Sequence, residues 1–216
     1  MVSLLRKQSA FTLIELLSVI AIVAILAAIL IPVVGIVRQK AALAGCKSNI
    51  RQVSMALLTY AQDHKRAFPP VVSDFKGRGY AWSNLLQNQG YITDTGVYRC
   101  PGDSLNTTES SCRSYAYCVT AMTGGLQAPA EAVTRLSVVQ NPSRQYMLTE
   151  WHDAGNQWQG PSWSGAAQDI ISPASVSPSH TDGGRHFSFM DGHVEWRTME
   201  QCSSQWSGWV LNDIRE

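Results

Sequence analysis

The chain has 216 residues, of which 45% are hydrophobic and 15% are charged, and its formal net charge is +1. That length is enough for one membrane anchor and one folded domain of modest size. The hydrophobic content argues against a long disordered tail. The short basic cluster at 64–66 is interpreted as a solvated helix end, so no nucleic-acid-binding surface is predicted.

The first predicted element is a membrane-spanning helix at 11–37, which is apolar or weakly polar apart from Glu15. At about 1.5 Å per residue, this segment can cross a hydrocarbon core of roughly 30 Å. The apolar part of a secretory signal is shorter, at roughly 7–15 residues. Arg6 and Lys7 precede the helix and keep the N-terminus in the cytoplasm by the positive-inside rule. The sequence therefore predicts a single-pass protein of the cytoplasmic (inner) membrane with an extracytoplasmic head.

Glu15 requires an explanation, because a carboxylate in apolar surroundings is costly unless it is protonated or has a partner. One interpretation is that the side chain reaches the membrane surface. The other is that the carboxylate has a function within the membrane.

Residues 10–17, Ala-Phe-Thr-Leu-Ile-Glu-Leu-Leu, resemble the processing site of type IV prepilins and type II secretion pseudopilins. In that family a prepilin peptidase cuts before the phenylalanine and methylates the new amine, and a glutamate five residues into the mature chain neutralises an amine during assembly. The resemblance implies a leader at 1–10, cleavage between Ala10 and Phe11, methylation of Phe11 and an assembly role for Glu15. The usual residue before the cut is glycine, and alanine is small enough to replace it.

The predicted helix continues beyond the membrane through 38–64. Apolar residues recur there at spacings of three and four, which predicts a helical face packed against a domain. These residues are Cys46, Ile50, Val53, Leu57 and Tyr60. Phe68-Pro69-Pro70 ends the pattern, because proline disfavours helix in the residue before it. A local kink or melted turn is predicted at Pro32.

Residues 65–216 are predicted to form the globular head. Short segments alternate there with glycine, proline, serine and asparagine, which indicates a small α+β domain with an antiparallel sheet. The resemblance to pilins implies the same architecture. A short helix is predicted from Trp82, with Ser83 as its N-cap and Gly90 as its end. A strand is predicted at 145–149.

The clearest local prediction in the head is a hairpin at 186–197. Two alternating segments flank Asp191-Gly192, which is a strong signal for a two-residue turn. That turn predicts one apolar face and one polar face. The predicted cross-strand pairs are Phe189–Val194, Ser188–Glu195, Phe187–Trp196 and His186–Arg197.

The hairpin also resembles the C-terminal signature of a prepilin-like subfamily, in which nine residues separate a histidine from Asp-Gly. Asp191-Gly192 matches the pair. Ten residues separate it from His180 and four from His186, and the Ser-His-Thr-Asp-Gly-Gly context favours His180 as the counterpart. The resemblance extends to Phe68-Pro69, Gly90-Tyr91-Ile92, Cys100-Pro101 and Ser114-Tyr115.

A histidine and acid cluster in the head could supply imidazole and carboxylate ligands; it consists of His180, Asp182, His186, Asp191 and His193. Asp182, Asp191 and His193 are candidate calcium ligands in loops, although their spacing fits no strong metal motif. Structural interpretations compete with this one, since aspartate suits turns and a histidine suits an exposed strand. A second polar cluster is formed by Glu150, His152 and Asp153. No nucleophile elbow, phosphate-binding loop or dinucleotide fingerprint is present, so neither an enzyme nor a firm cofactor is predicted.

The five cysteines of an extracytoplasmic chain favour disulfides. Cys46 lies on the apolar helical face and is predicted to be a buried free thiol. The other four cysteines allow three pairings, and the first three of them suggest zinc as an alternative. These four are Cys100, Cys112, Cys118 and Cys202. The tryptophans at 151–163 and 206–209 are interpreted as core, with a glycan- or partner-binding surface as the alternative.

These observations predict a structural subunit of a type IV pilus or type II secretion-like filament. In it, Glu15 would pair with an amine of another pilin-like subunit. The first alternative is a non-polymerising, membrane-anchored extracytoplasmic binding protein. The second is an anchored hydrolase that uses the histidine and acid cluster.

Overall fold

The computed structural model describes residues 12–69, 72–75, 78–103, 113–117, 135–139, 141–152, 180, 183–198 and 201. Several predictions lie outside these residues. They concern the leader and the cut between Ala10 and Phe11, the candidate ligand Asp182, Asp153 of the second polar cluster, three cysteines and four tryptophans. The cysteines are Cys112, Cys118 and Cys202, and the tryptophans are Trp158, Trp163, Trp206 and Trp209.

The first element is helix α1, Leu13–Asp63, which confirms the predicted continuous helix. It remains helical through Pro32, so the melted turn predicted there is absent, while a kink at Pro32 stays a prediction. After α1, Lys65 and Arg66 adopt positive φ angles of 54° and 63°. The Arg66 N–H donates to the carbonyl of Ala61 at 2.7 Å, which is a common way to satisfy a helix C-terminus.

The chain divides into two compact units, Met1–Ala41 and Ala42–Glu216. Helix α1 contributes residues to both. In the first unit, none of the described residues 12–41 is buried. In the second unit α1 has the predicted buried face, which consists of Cys46, Ile50, Val53, Ser54, Ala56, Leu57, Tyr60 and Ala61. The predicted boundary at residue 37 between membrane and extracytoplasmic segments stays a prediction.

The head combines short helices with antiparallel strands, as predicted. Strands β1, Val72–Phe75, and β2, Arg78–Ala81, form a two-stranded ladder. Helix α2 follows at Trp82–Asn88. A four-stranded sheet has the order β3-β4-β5-β6. Its strands are β3, Tyr115–Tyr117; β4, Tyr146–Glu150; β5, Gly184–Phe189; and β6, Val194–Thr198.

The short predicted segments are confirmed with one correction. Strand β4 begins one residue later than predicted, and α2 ends just before Gly90, whose φ is +80°. Ser83, however, lies inside α2 and is not its N-cap. It is buried, its hydroxyl accepts from Arg113 Nη1 at 3.1 Å, and its carbonyl accepts from the Tyr98 hydroxyl at 2.9 Å. The serine therefore serves contacts within the head.

The register predicted for the β5–β6 hairpin is wrong by one residue. The observed pairs are Ser188–Val194, Phe187–Glu195, His186–Trp196, Arg185–Arg197 and Gly184–Thr198. The loop contains three residues, 190–192, and ends at Gly192 with a φ of +87°, which fits the longer hairpin turn with a left-handed glycine. Met190 is part of this loop and not of the β5–β6 ladder. Its side chain is buried, and its N–H donates to the Gln145 carbonyl.

That one-residue shift changes which side chains share a face. His186 lies opposite Trp196, and Phe187 lies opposite Glu195. Phe187 and Phe189 form a separate apolar cluster with Tyr146. The other face of β5 therefore carries His186, beside the end of β4.

Cys46 is not a free thiol, because it forms a disulfide with Cys100. The two Cα atoms are 4.6 Å apart, which suits a disulfide. Gly45 allows α1 and the loop around Cys100 to come close together, since a Cβ at this position would lie 3.0 Å from the Pro101 side chain. The Asn49 side-chain amide also donates to the Arg99 carbonyl at 2.7 Å. A disulfide and a hydrogen bond thus connect the loop around Cys100 to α1.

Candidate functional site

The N-terminus of α1 has a capping box formed by Thr12 and Glu15. The Glu15 N–H donates to Thr12 Oγ1 at 3.3 Å. In return, Glu15 Oε2 accepts from the Thr12 N–H at 2.8 Å and from its hydroxyl at 2.7 Å. The Glu15 carboxylate therefore has partners within its own chain, a possibility that the sequence interpretation overlooked. The Thr-x-x-Glu pattern was the signal that could have revealed it.

The residues that follow this cap form an exposed apolar surface. Leu13, Leu26 and Val37 are each more than half exposed, at 84%, 54% and 57%. Within the described residues, Leu13–Asp63 is the helix long and apolar enough to cross a membrane. Such a surface is expected to contact lipid or other helices.

The head contains a second site, a buried polar cluster around Glu150 at the end of β4. His180 Nε2 lies 3.1 Å from Glu150 Oε2, and His186 Nδ1 lies 2.9 Å from Oε1. The His186 backbone N–H donates to Oε2 at 2.7 Å. Glu150 is 0% exposed. Antiparallel pairing of β4 with β5 places Glu150 beside His186.

The Cys46–Cys100 disulfide borders this cluster. Cys100 Sγ lies 3.6 Å from His180 Nε2 and 3.9 Å from Glu150 Oε1. Gly102 packs against the imidazole of His180, since a Cβ there would lie 2.8 Å from the ring. A side chain at position 102 would therefore displace the imidazole.

Asp103 and His152 extend the cluster. Asp103 Oδ2 accepts from the Ser114 hydroxyl at 2.7 Å, and Oδ1 lies 3.9 Å from His152 Nδ1. The His152 and His180 rings meet edge to face, with centroids 5.1 Å apart. The head thus groups two buried carboxylates with three imidazoles that are almost entirely buried.

Burial and pairing shift the pKa values of this cluster in different ways. Burial alone would raise the pKa of Glu150, but hydrogen bonds and electrostatic attraction from His180 and His186 outweigh it and lower this pKa to about 2. Burial lowers the pKa of His152, and the Asp103 and Glu150 carboxylates oppose that shift. Glu150 is therefore ionised at neutral pH, held by its histidine partners.

The structure places the predicted site residues of the head in two locations. His180 and His186 both contact Glu150, and His152 packs against the His180 ring. The sequence had suggested two separate polar groups, one around His180 and His186 and the other around Glu150 and His152. Asp191 and His193 lie at the hairpin turn, where His193 Nδ1 is 2.6 Å from Asp191 Oδ1 and both side chains are partly exposed. Because Asp182 lies outside the described residues, a calcium site at these positions stays a prediction.

Comparison with known proteins identifies the N-terminal segment. Residues 5–31 match the family model described as the prokaryotic N-terminal methylation motif. No curated protein and no solved structure matches the chain. The motif and the long apolar helix together support a type IV pilin-like, membrane-anchored chain with a prepilin-type N-terminus. The match does not extend to the head, so the C-terminal His…Asp-Gly signature stays a prediction.

Proposed function

We propose that the chain is a structural subunit of a type IV pilus or type II secretion-like filament. In this role a prepilin peptidase cleaves between Ala10 and Phe11 and methylates Phe11. The observation that carries the proposal is the N-terminal methylation motif on a helix whose apolar surface is exposed from Leu13 to Val37. In a filament, that surface packs against the same helix of other pilin-like subunits. The proposal includes no catalytic step.

Glu15 suits an assembly role because its carboxylate can hold two partners. Both bonds from Thr12 end on Oε2. Oε1 takes part in neither bond and can accept from an amine of a neighbouring subunit. A charge-assisted bond of this kind is stronger than a neutral one, most of all in a low-dielectric environment.

The proposed orientation has the N-terminus inside and the head outside the cytoplasm. Arg6 and Lys7 precede the apolar helix, which favours a cytoplasmic N-terminus. The Cys46–Cys100 disulfide lies in the head, and disulfides persist in oxidising compartments. Both observations favour the same orientation.

Processing is tested by purifying the membrane-bound protein from its own host and measuring the mass of its N-terminal peptide. The expected peptide begins at methylated Phe11. A peptide that still begins at Met1 would contradict processing and leave a fixed single-span anchor.

Assembly is tested with Glu15→Ala and two controls. We expect this variant to disappear from the filament fraction sheared from cells, while the membrane fraction retains it with a folded head. Thr12→Ala removes the capping hydroxyl and keeps the carboxylate, so it should assemble. Glu195→Ala removes an exposed carboxylate of the head and should also assemble. If Glu15→Ala assembles normally, or if Thr12→Ala fails equally, Glu15 does not act through an amine partner.

A second candidate, a non-polymerising binding protein, is favoured by a cavity in the head. Its volume is about 720 Å³, and its walls include Arg51, Met55, Tyr91 and Asp94. This volume lies within the usual range of small-molecule sites, roughly 300–1,000 Å³. A chain that is processed but stays entirely in the membrane of a filament-producing host would favour this function.

A further inference from the structure

Four metal-binding side chains converge at the Glu150 cluster. They come from α1, the loop after residue 98, strand β4 and the segment before β5. One ligand atom from each lies within 4.8 Å of all the others, and all four side chains are buried. The residues are Cys46, Cys100, Glu150 and His180. Two thiolates, an imidazole and a carboxylate are ligands that zinc binds.

The distances among three of these donors already approach those of a zinc tetrahedron. Zinc bonds of about 2.3 Å to sulfur and about 2.0–2.1 Å to nitrogen or oxygen give edges of about 3.3 Å for N···O and about 3.5 Å for S···N and S···O. The observed distances are 3.1 Å from His180 Nε2 to Glu150 Oε2, 3.6 Å from Cys100 Sγ to Nε2, and 3.9 Å from Cys100 Sγ to the other carboxylate oxygen, Oε1. Because one oxygen lies near the nitrogen and the other near the sulfur, the carboxylate must rotate to bring a single oxygen into the tetrahedron.

The disulfide state excludes metal, because its two sulfur atoms are bonded to each other. Two thiolates on one zinc lie about 3.8 Å apart, so the sulfurs must separate by about 1.8 Å after reduction. Side-chain rotation of the cysteines can supply that change. Disulfide formation and zinc binding at Cys46 and Cys100 are therefore alternatives.

We propose that Cys46, Cys100, Glu150 and His180 form a zinc site in the dithiol form of the protein. A dithiol reductant supplies two electrons and two protons, the S–S bond breaks to give two thiols, and the reductant leaves as its own disulfide. Zinc then binds both thiolates with release of their two protons. The core of the head is thus closed by a disulfide or by a metal ion. This role goes beyond the proposed filament function and does not depend on it.

The surroundings of the four ligands support a closed structural site. Two thiolates and one carboxylate exceed the charge of Zn²⁺ by one negative charge, and the His186 N–H and imidazole contact that carboxylate. Gly102 leaves room for the His180 ring, because a Cβ at this position would lie 2.8 Å from it. With four protein ligands, no coordination position remains for substrate, which is typical of structural zinc.

The site is tested on the full-length chain in detergent, first stripped with a chelator. One sample is oxidised, and the other is reduced with a phosphine, which does not compete as a thiol ligand. After Zn²⁺ addition and desalting, elemental analysis should find one zinc per reduced chain and none per oxidised chain. Co²⁺ in place of zinc should give the visible absorption bands of a tetrahedral thiolate site, and only after reduction.

Variants show which residues bind the metal. His180→Asn keeps the disulfide available for folding, so its loss of zinc after reduction is not a failure to fold. Gly102→Ala displaces the ring and should weaken zinc affinity roughly 10–100-fold, as changes next to metal ligands do. Cys46→Ser with Cys100→Ser should abolish binding.

Two control variants should retain stoichiometric zinc. One replaces Cys112, Cys118 and Cys202 by serine, and the other combines Asp191→Asn with His193→Ala. Three outcomes overturn the proposal: equal zinc in the oxidised chain, undiminished zinc in His180→Asn, or no zinc in the reduced wild type, whether folded or not.

Discussion

The two parts of helix α1 have opposite surroundings within one continuous element. Up to residue 41 no described residue is buried, and Leu26 is 54% exposed. Beyond residue 45 a buried stripe appears, and Leu57 is 0% exposed. The first part is apolar on every side from Leu16 to Val37, and the second part is amphipathic. A helix that is apolar all round is adapted to lipid or to other helices, whereas an amphipathic helix packs against its own domain.

The carboxylates Glu15 and Glu150 differ in the same way. Glu15 lies at the exposed beginning of α1, and its partner Thr12 is three residues away. Glu150 is fully buried, and its partners His180 and His186 are distant in sequence. The Glu15 carboxylate therefore lies in an exposed position, while the Glu150 carboxylate is enclosed by residues of its own head.

The largest expected effect comes from Glu150→Ala, which leaves buried histidines and the His186 N–H without their partner. Each buried donor left without its acceptor costs about 1–3 kcal/mol of unfolding free energy, and Glu150 accepts from several donors. Denaturant titration of the full-length protein measures it through tryptophan fluorescence, which reports on the head because all seven tryptophans lie at or beyond residue 82. Glu195→Ala, at an exposed pair with Arg197, is the control and should cost at most about 1 kcal/mol. Equal effects of the two variants would contradict the role of Glu150.

The next largest effect comes from a leucine-to-alanine substitution, made once in each part of α1. Leu57→Ala leaves a cavity in the core and should lower the unfolding free energy of the head by about 3 kcal/mol. Leu26→Ala removes the same atoms from an exposed position and should leave head unfolding unchanged. The same fluorescence titration measures both. A similar loss in both variants would mean that the membrane part of α1 also stabilises the head.

A smaller effect is expected at the hairpin turn. Gly192→Ala places a side chain at a φ of +87° and 3.1 Å from Leu58 Cδ1, which should cost about 1–2 kcal/mol. Gly90→Ala shares the positive φ but has no atom within 4 Å of the added Cβ. The difference between their thermal unfolding midpoints isolates the contact with Leu58. Gly35→Ala, in the membrane part of α1, should not change head unfolding.

The smallest expected effect is the pH dependence of the same turn. Burial alone would raise the pKa of Asp191, but the backbone N–H and imidazole of His193 outweigh it and lower the pKa below its ordinary value of 3.8. The carboxylate therefore contributes stability above that value and loses this contribution as the pH falls below it. Asp191→Asn should be less stable than wild type at neutral pH, and the difference should disappear in acid. A difference that is constant with pH would exclude this titration as its cause.

The sequence by itself determined the elements whose signals are local. The apolar run and the three-and-four spacing through Leu57 predicted α1 and its buried face, and alternation predicted β4 and the hairpin. The capping box at Thr12 and Glu15 was equally local, although its pattern was overlooked. Local signals suffice for these features because backbone hydrogen bonds and side-chain periodicity connect residues only a few positions apart.

Tertiary structure alone decided the hairpin register, the disulfide and the Glu150 cluster. Met190 is buried against the core, which turned a predicted two-residue loop into a three-residue loop. Cys46 could be paired with Cys100 only after α1 and a loop 54 positions away came together. His186 reached Glu150 through the pairing of β4 with β5. In each case the deciding contact joins elements far apart in the chain, whose relative placement depends on how the whole head packs.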